Sequence, residues 1–267
     1  MKIDLNVNVH HLTRVEGHGN IRLKVTAGIV REAAWDVVET PRFFEAMLKG
    51  KHYTSAGILA ARICGICSIG HCLATLRATE KAFGVTIPPA AGKLRLLAKH
   101  GETLQSHWLH LFLLVAPDFV GQPDVLPLLE SAPEIVHLAR RLKGAANRLC
   151  DAVAGRAVHP VSLQAGGISV MPPREKLLPL RDELQRSLED VTAACRLFSS
   201  FTLPAFSRET EYVSLKGGAA YPWIGGSMIS SDGVEAAEDD YLRMTNEYVD
   251  AHNTSKWCKL SRPSFAV

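Results

Sequence analysis

The chain has 267 residues, of which 47% are hydrophobic and 21% charged, with a formal net charge of +3 at pH 7. These proportions are typical of a globular protein that buries a sizeable core in one large domain or two smaller ones. The small charge and the lack of a basic run with interleaved aromatic residues exclude nucleic acid as a partner, and no apolar run approaches the roughly 20 residues of a membrane span. Six cysteines are too few for a disulfide framework. Since we also find no signal peptide, we expect a cytoplasmic location.

The amino-terminal residues predict a small antiparallel sheet. Apolar and polar residues alternate from Ile3 to Val9 and from Ile21 to Val25, which is the period of a half-buried strand. Ala27-Gly28 offers a turn into a further strand. Residues 3–38 therefore form the sheet, and the Arg14–Gly19 loop lies between two of its strands.

Helices are predicted after Thr40-Pro41, where a helix-capping residue precedes a proline. The predicted helices cover residues 42–49, a stretch through His71 to Phe83, and residues 90–115, 131–153, 173–201 and 235–252. The fold class is α+β and predominantly helical, a long-helix bundle with a small N-terminal antiparallel sheet. We assign residues 1–40 to the sheet region and 41–267 to the helical bundle, within one continuous domain.

The segment Arg62–His71, RICGICSIGH, carries the densest chemistry of the sequence. Its spacing Cys-x-x-Cys-x-x-x-His suits a metal, and a helix starting here would place Cys64, Cys67 and His71 on one face. Clustered thiolates favour zinc or an iron–sulfur cluster. Two buried structural cysteines at a helix start are the plainer interpretation. A thioredoxin-like redox pair would need a βαβ context, which the sequence does not show.

The full pattern Arg-x-Cys-Gly-x-Cys-x-x-x-His resembles the signature of the large, catalytic subunit of nickel–iron hydrogenases. Two more segments are similar to that family: Arg14–Gly19 (RVEGHG), and Gly155-Arg156-x-x-His159-Pro160 followed by Gly166-Gly167. The similarities occur in family order from residue 13 to about residue 235. Tyr221-Pro222 and Ser230–Gly233 look more like the soluble, cofactor-coupled hydrogenases.

This resemblance implies a role for each matching residue. Cys64 would be a terminal ligand of nickel, and Cys67 would bridge nickel to an iron that carries carbon monoxide and cyanide. His71 would hydrogen-bond the bridging sulfur, and Arg62 would offset thiolate charge. Glu16 would be the first proton-transfer group, with a pKa raised by burial.

The resemblance also implies further cofactors and partners. Glu45 matches a glutamate that binds magnesium away from the active site, and His159 matches a segment that faces the small subunit. The implied reaction is reversible heterolytic cleavage of H2. Electrons would pass to an iron–sulfur small subunit and on to possible further electron-transfer subunits, because this chain has too few clustered cysteines for iron–sulfur clusters of its own.

The sequence departs from the family at its carboxyl end, where the family closes the metal site with a second C-x-x-C. Here Cys150, Cys195 and Cys258 are isolated. We therefore expect that this chain lacks the carboxyl-terminal part of its domain and is inactive alone. Two other functions stay open: a non-catalytic structural subunit of a related respiratory-type complex, and a zinc-binding module. The latter would use Cys64, Cys67, His71 and Cys72.

Overall fold

The computed structural model describes residues 3–218, 221–251 and 253–260. Contacts divide them into two compact units. The sheet unit combines the residues up to Lys49 with those from Glu209 onward, and the helical unit is Gly50–Arg208. The chain thus leaves the sheet unit after residue 49 and returns to it after residue 208, whereas the sequence pattern suggests one boundary at residue 40.

The elements follow in chain order. The strands are β1 (Leu5–Val9), β2 (Gly19–Thr26), β3 (Ile29–Val37), β4 (Leu163–Gln164), β5 (Gly167–Ile168), β6 (Val213–Lys216), β7 (Ser227–Ser230), β8 (Glu235–Ala236), β9 (Thr245–Val249) and β10 (Lys256–Leu260). The α-helices are α1 (Phe43–Leu48), α2 (Tyr53–Ala60), α3 (Ser68–Phe83), α4 (Pro89–Leu109), α5 (Ala116–Phe119), α6 (Leu128–Ser131), α7 (Pro133–Ala154), α8 (Arg174–Ser199) and α9 (Tyr241–Met244).

The predicted amino-terminal antiparallel sheet is confirmed. Strands β1, β2 and β3 pair in that order, with Leu5 opposite Val25 in the first pair. The turn between β2 and β3 is Ala27-Gly28, both with positive φ (54° and 80°). The returning chain is fastened to β3, because the backbone N–H of Thr254 donates to the carbonyl oxygen of Val37 at 3.2 Å.

The helix predicted over residues 235–252 is wrong. The structure has β8 at its start, the four-residue helix α9 in its middle, and then β9, which pairs with β10 in antiparallel register. Tyr248 lies opposite Trp257 in this hairpin. β-branched and aromatic residues such as Thr245, Tyr248 and Val249 favour a strand through these cross-strand contacts, which the sequence of one segment does not reveal.

The helical unit contains the predicted bundle. α3 ends at Gly84, whose φ of 64° is the left-handed conformation that glycine supplies at helix ends. The predicted helix over 90–115 is confirmed as α4 only to Leu109, and His110–Val115 continue as a π-helical segment. The π-helical segment ends two residues before Pro117, which has no N–H to donate to the preceding turn.

Helices α4, α7 and α8 enclose the core of this unit. Its buried cluster contains Trp108, Phe112, Leu138, Ala139, Leu142, Ala146 and Ala194. α4 and α7 approach closely at Gly101, where a Cβ atom would lie 2.7 Å from the Cys150 sulfur. Cys150 is therefore a packing residue.

A buried ion pair joins α3 to α4 and to the β4–β5 hairpin. The Arg95 guanidinium donates to both carboxylate oxygens of Glu80, at 2.6 and 2.9 Å, and also to the backbone carbonyl of Gln164 at 2.7 Å. The Gly166 N–H donates to Glu80 at 2.8 Å. Burial raises the pKa of the Glu80 carboxyl, but the hydrogen bonds from Arg95 and Gly166 outweigh it, so the pKa lies below its usual value.

Glu80→Gln should lower the free energy of unfolding by about 3–5 kcal/mol at neutral pH, because Arg95 would keep a buried charge without its counter-charge. A carboxyl with a depressed folded-state pKa stabilises the fold above its unfolded pKa, and the effect disappears as pH falls through the folded value. The deficit against wild type should therefore shrink below roughly pH 4. Urea unfolding at neutral pH and below roughly pH 4 measures the difference in the free energy of unfolding between variant and wild type. Glu189→Gln, at an exposed position, is the control. A deficit of equal size at both pH values would contradict this account.

Candidate metal centre

The two cysteines of the C-x-x-C lie in the turn between α2 and α3. Cys64 is buried in the loop and Cys67 is half-buried at the residue before α3. The predicted common helical face is wrong, because α3 begins only at Ser68, after both cysteines. The turn wraps around one sulfur instead: the backbone N–H groups of Ile66 and Cys67 donate to the Cys64 Sγ at 3.3 and 3.4 Å. Such N–H donors stabilise negative charge on sulfur.

The two thiols are close enough to interact directly. Burial raises the pKa of the Cys67 thiol to about 12, together with its hydrogen bond to the Cys64 side chain and the negative charge of Glu102. Without a cation the Cys67 sulfur therefore keeps its proton near neutral pH. A bound metal ion reverses this preference, because a coordinating thiol is deprotonated by the charge of the ion.

The donor atoms of this turn fit a soft metal as a pair of ligands. Two sulfurs in hydrogen-bonding contact can bind one ion together, and thiolates select such metals. Among the residues that the structure describes, no group of three or more His, Cys, Asp or Glu side chains lies together as a metal site. The turn thus brings together two sulfur donors, fewer than the four ligands of a closed structural metal site.

His71 lies on α3, one helical turn after Cys67. Its backbone N–H donates to the Cys67 carbonyl oxygen at 3.2 Å. The ring is half-buried. Burial lowers its pKa, and the nearby Lys99 lowers it further, against the opposing effect of Glu102. The neutral imidazole is therefore favoured.

Cys72 packs against α2. It is buried on α3, where a Cβ atom at Gly57 of α2 would lie 3.4 Å from its sulfur. Burial raises the pKa of its thiol to about 11. Its position between α2 and α3 argues against the zinc-binding module, because all four residues of that module are described and they do not form a cluster.

Arg62 is exposed at the rim of the C-x-x-C turn. It lines a cavity of about 360 Å³ that also includes Tyr53 and Gln164. His159 and Pro160 form another part of the lining. The helical unit therefore presents a concave surface that includes Arg62, two residues before Cys64 in the sequence.

His159 fastens both ends of the cysteine loop. Its backbone N–H donates to the Ser68 Oγ at 2.9 Å, and its ring Nδ1 donates to the Ala61 carbonyl oxygen at 2.8 Å. This places a proton on Nδ1. The backbone reaches this position because Gly155, with φ of 78°, ends α7 and turns the chain back. The G-R-x-x-H-P pattern thus has a geometric role that its spacing alone did not predict.

Glu102 is the residue near the site that the sequence reasoning missed. It lies on the buried face of α4 and is only 2% exposed. Its carboxylate accepts hydrogen bonds from the backbone N–H groups of Ile69 and Gly70 at the start of α3. The available signal was an acidic residue beside Gly101 and Gln105, within the predicted helix over 90–115.

Two other predicted site residues lie in the sheet unit. Glu16 is exposed in the loop between β1 and β2, so the predicted burial of its carboxyl is wrong for this chain. Glu45 is exposed on α1, and its carboxylate forms an ion pair with the Lys256 Nζ at 2.7 Å. The hydrogen bond from Lys256 holds the pKa of Glu45 below its usual value.

Comparisons with known proteins agree with these features. Residues 42–156 match the family model of nickel-dependent hydrogenases. The chain is 35% identical over 194 residues to the alpha subunit of sulfhydrogenase 2 from Pyrococcus furiosus, covering 73% of this chain and 47% of that protein. The alpha subunit of sulfhydrogenase 1 from the same organism is 30% identical over 262 residues, covering 94% of this chain and 59% of that protein.

Solved structures show the same fold. An NAD+-reducing NiFe-hydrogenase in its H2-reduced state superposes with a TM-score of 0.87 at 28% identity, covering 97% of this chain and 62% of that chain. The NiFeSe-hydrogenase of Dm. baculatum superposes with a TM-score of 0.71 at 23% identity, which shows the fold alone. In the described part of the chain, no helix has the length and apolar character needed to cross a membrane.

The chain spans about half the length of the curated relatives, 47% and 59% for the two sulfhydrogenase subunits. Its α+β fold, its matched motifs and these relatives agree. Through these matches the chain is identified as a relative of the nickel-dependent hydrogenases, similar to part of their large subunit.

Proposed function

We propose that this chain supplies the amino-terminal pair of ligands to the nickel–iron centre of a hydrogenase, and that the complete subunit catalyses the reversible heterolytic cleavage of H2. The observation that carries this proposal is the C-x-x-C turn. There Cys64 and Cys67 hold two sulfurs in hydrogen-bonding contact, with backbone N–H donors on one of them. The similarity to nickel-dependent hydrogenases is the reason to propose nickel and iron as the metals that this turn binds.

The residues that would hold the centre follow from the resemblance. Cys64 would hold nickel, and Cys67 would be a ligand shared by nickel and an iron that would also carry carbon monoxide and cyanide. When bound, the centre would supply the Lewis acidity that makes H2 a stronger acid. A cysteine sulfur is the proposed first acceptor of the proton, and Glu16 is the proposed next one.

Two residues beside the cysteines would adjust the charge of the sulfurs. His71, held neutral by burial, can donate one hydrogen bond to the Cys67 sulfur and thereby orient it. Arg62 carries a permanent positive charge at the rim of the turn, which offsets thiolate charge. Neither residue needs to bind the metal directly.

A magnesium ion at Glu45 is a separate part of the proposal. Carboxylate oxygens are the ligands that Mg²⁺ prefers. In this structure the Lys256 ammonium takes that place against the Glu45 carboxylate. A divalent cation would therefore have to displace the Lys256 ammonium from the Glu45 carboxylate. The cation would bring two positive charges in place of one.

The proposed partner is an iron–sulfur small subunit, followed by further electron-transfer subunits. We propose its contact on Arg62–His71 and the loop of His159, because Arg62 is exposed and lines one cavity together with His159. Short electron-transfer paths need this proximity. A reducing cytosol is the proposed compartment, since Cys64 and Cys67 must stay as thiols to bind metal.

The second candidate function is a non-catalytic structural subunit of a related respiratory-type complex, which would share the fold without hydrogen chemistry. The contact between the Cys64 and Cys67 sulfurs argues against it. A structural subunit has no need of two thiols with N–H donors aimed at one of them.

The 267 residues contain a single C-x-x-C, so we predict that they need a second pair of thiols to bind a stable nickel–iron centre. The chain and a small subunit would be produced in a host that assembles such centres, with or without a polypeptide that carries a second C-x-x-C. Bound nickel and iron, and H2–D2O exchange, should be detected only when the polypeptide with the second C-x-x-C is present. Cys64→Ser should abolish the metal content and the exchange. Exchange without the added segment would show that other residues complete the site.

Glu16→Gln in the complete subunit should retain nickel and iron but slow H2–D2O exchange by about 10²–10⁴-fold, the usual contribution of a positioned proton-transfer group. Metal analysis and exchange mass spectrometry measure the two quantities. Glu39→Gln is the matched control, because its carboxylate borders the same loop, about 3.0 Å from where a Gly17 Cβ would lie. Normal exchange in Glu16→Gln would remove this residue from the proton route.

A further inference from the structure

The first backbone N–H groups of α3 are capped by a side chain of another helix, α4. The Glu102 Oε1 accepts the Ile69 N–H at 2.5 Å, and its Oε2 accepts the Gly70 N–H at 3.0 Å. The first N–H groups of a helix have no partner within the helix and need an outside acceptor. Here Cys67 occupies the capping position and makes no side-chain hydrogen bond to the helix.

This arrangement leaves the Cys67 sulfur available. A helix usually begins with Ser, Thr, Asp or Asn, whose side chain turns back onto the first N–H groups. A cysteine that binds a metal cannot also serve in that way. Because Glu102 accepts the Ile69 and Gly70 N–H groups from α4, the first turn of α3 is capped without a hydrogen bond from the Cys67 side chain.

The charge of Glu102 is balanced locally. The Lys99 Nζ lies 2.7 Å from the Glu102 Oε2, and the two residues are three apart on α4. Gly70 makes room for both, since a Cβ atom there would lie 3.3 Å from the Glu102 carboxylate and 3.3 Å from the Lys99 ammonium. The pair therefore fills the space left by the absent side chain.

We propose that Glu102 is a positioning residue for the metal ligands, with Lys99 as its counter-ion, and that it fixes the Cys67 sulfur relative to Cys64. This inference rests on the proposed function, in which the two cysteines bind metal. Glu102 does not touch the metal itself. It acts by fixing the first turn of α3, so its loss should widen the range of distances between the two sulfurs.

The test uses the full 267-residue chain and Co²⁺ alone as the probe, followed by the sulfur-to-cobalt charge-transfer absorption. Wild type should bind Co²⁺ with this band, and Cys64→Ser should lose it. Glu102→Gln places an amide N–H₂ against the backbone N–H donors or the Lys99 ammonium. We expect it to weaken Co²⁺ binding by about 10–100-fold, as the loss of a ligand-orienting partner does.

A general loss of stability must be separated from loss of positioning. Glu80→Gln is the matched control, because it breaks the ion pair at the opposite end of α3 and leaves the Ile69 and Gly70 N–H groups capped. It should lower stability to urea but leave the Co²⁺ affinity of the folded protein unchanged. Gly70→Ala is the second variant in case Glu102→Gln does not fold, and its crowding of the pair should also weaken Co²⁺ binding.

Each outcome decides a different question. If wild type binds Co²⁺ through Cys64 and Glu102→Gln and Gly70→Ala bind it equally well, the positioning role is overturned and the proposed function stands. If Glu80→Gln loses as much affinity as Glu102→Gln, the effect is one of stability, and the inference also fails. If wild type shows no cysteine-dependent band, both the inference and the proposed metal site are overturned.

Discussion

The pairing of α3 with α4 through two buried carboxylates is the constraint on which the candidate site depends. Glu102 of α4 caps the start of α3, and Glu80 near the end of α3 binds Arg95 of α4. Arg95 and Glu102 are seven residues apart, two helical turns, so they lie on one face of α4. Each buried charge needs its partner, since an unpaired one would cost several kcal/mol. The two helices are thus held in a single register, and the cysteine turn at the start of α3 is held with them.

The cysteine loop is anchored at both ends by one residue of a distant segment. His159 binds the Ala61 carbonyl oxygen before the loop and the Ser68 hydroxyl after it. Between these points the backbone N–H groups of Ile66 and Cys67 donate to the Cys64 sulfur. Loop residues such as Gly65 and Ile63 are exposed, while the ends of the loop are fixed by a residue 98 and 91 positions away along the sequence.

The sequence was most informative where the signal is local. The alternating strands of the amino-terminal sheet, the glycine end of α3 and the C-x-x-C spacing each depend on neighbouring residues, and the first two are confirmed. The failures are non-local. The hairpin of β9 and β10 replaces a predicted helix because cross-strand contacts outweigh helical periodicity. Glu102 was missed because its acceptor role depends on N–H groups 32 and 33 residues away, which no spacing rule connects.

The electrostatics of the turn separate what the fold supplies from what a metal would supply. Burial and the neighbouring thiol raise the pKa of Cys67 to about 12, so the protein alone does not produce the thiolate that binds metal. The negative charge of Glu102 raises the pKa of the Cys67 thiol further, and the positive charge of Lys99 only partly offsets this effect. A fold that needed a free thiolate would place positive charge there instead. The fold and the metal therefore have separate roles. The helices fix where the two sulfurs lie, and the charge of a bound cation would remove their protons.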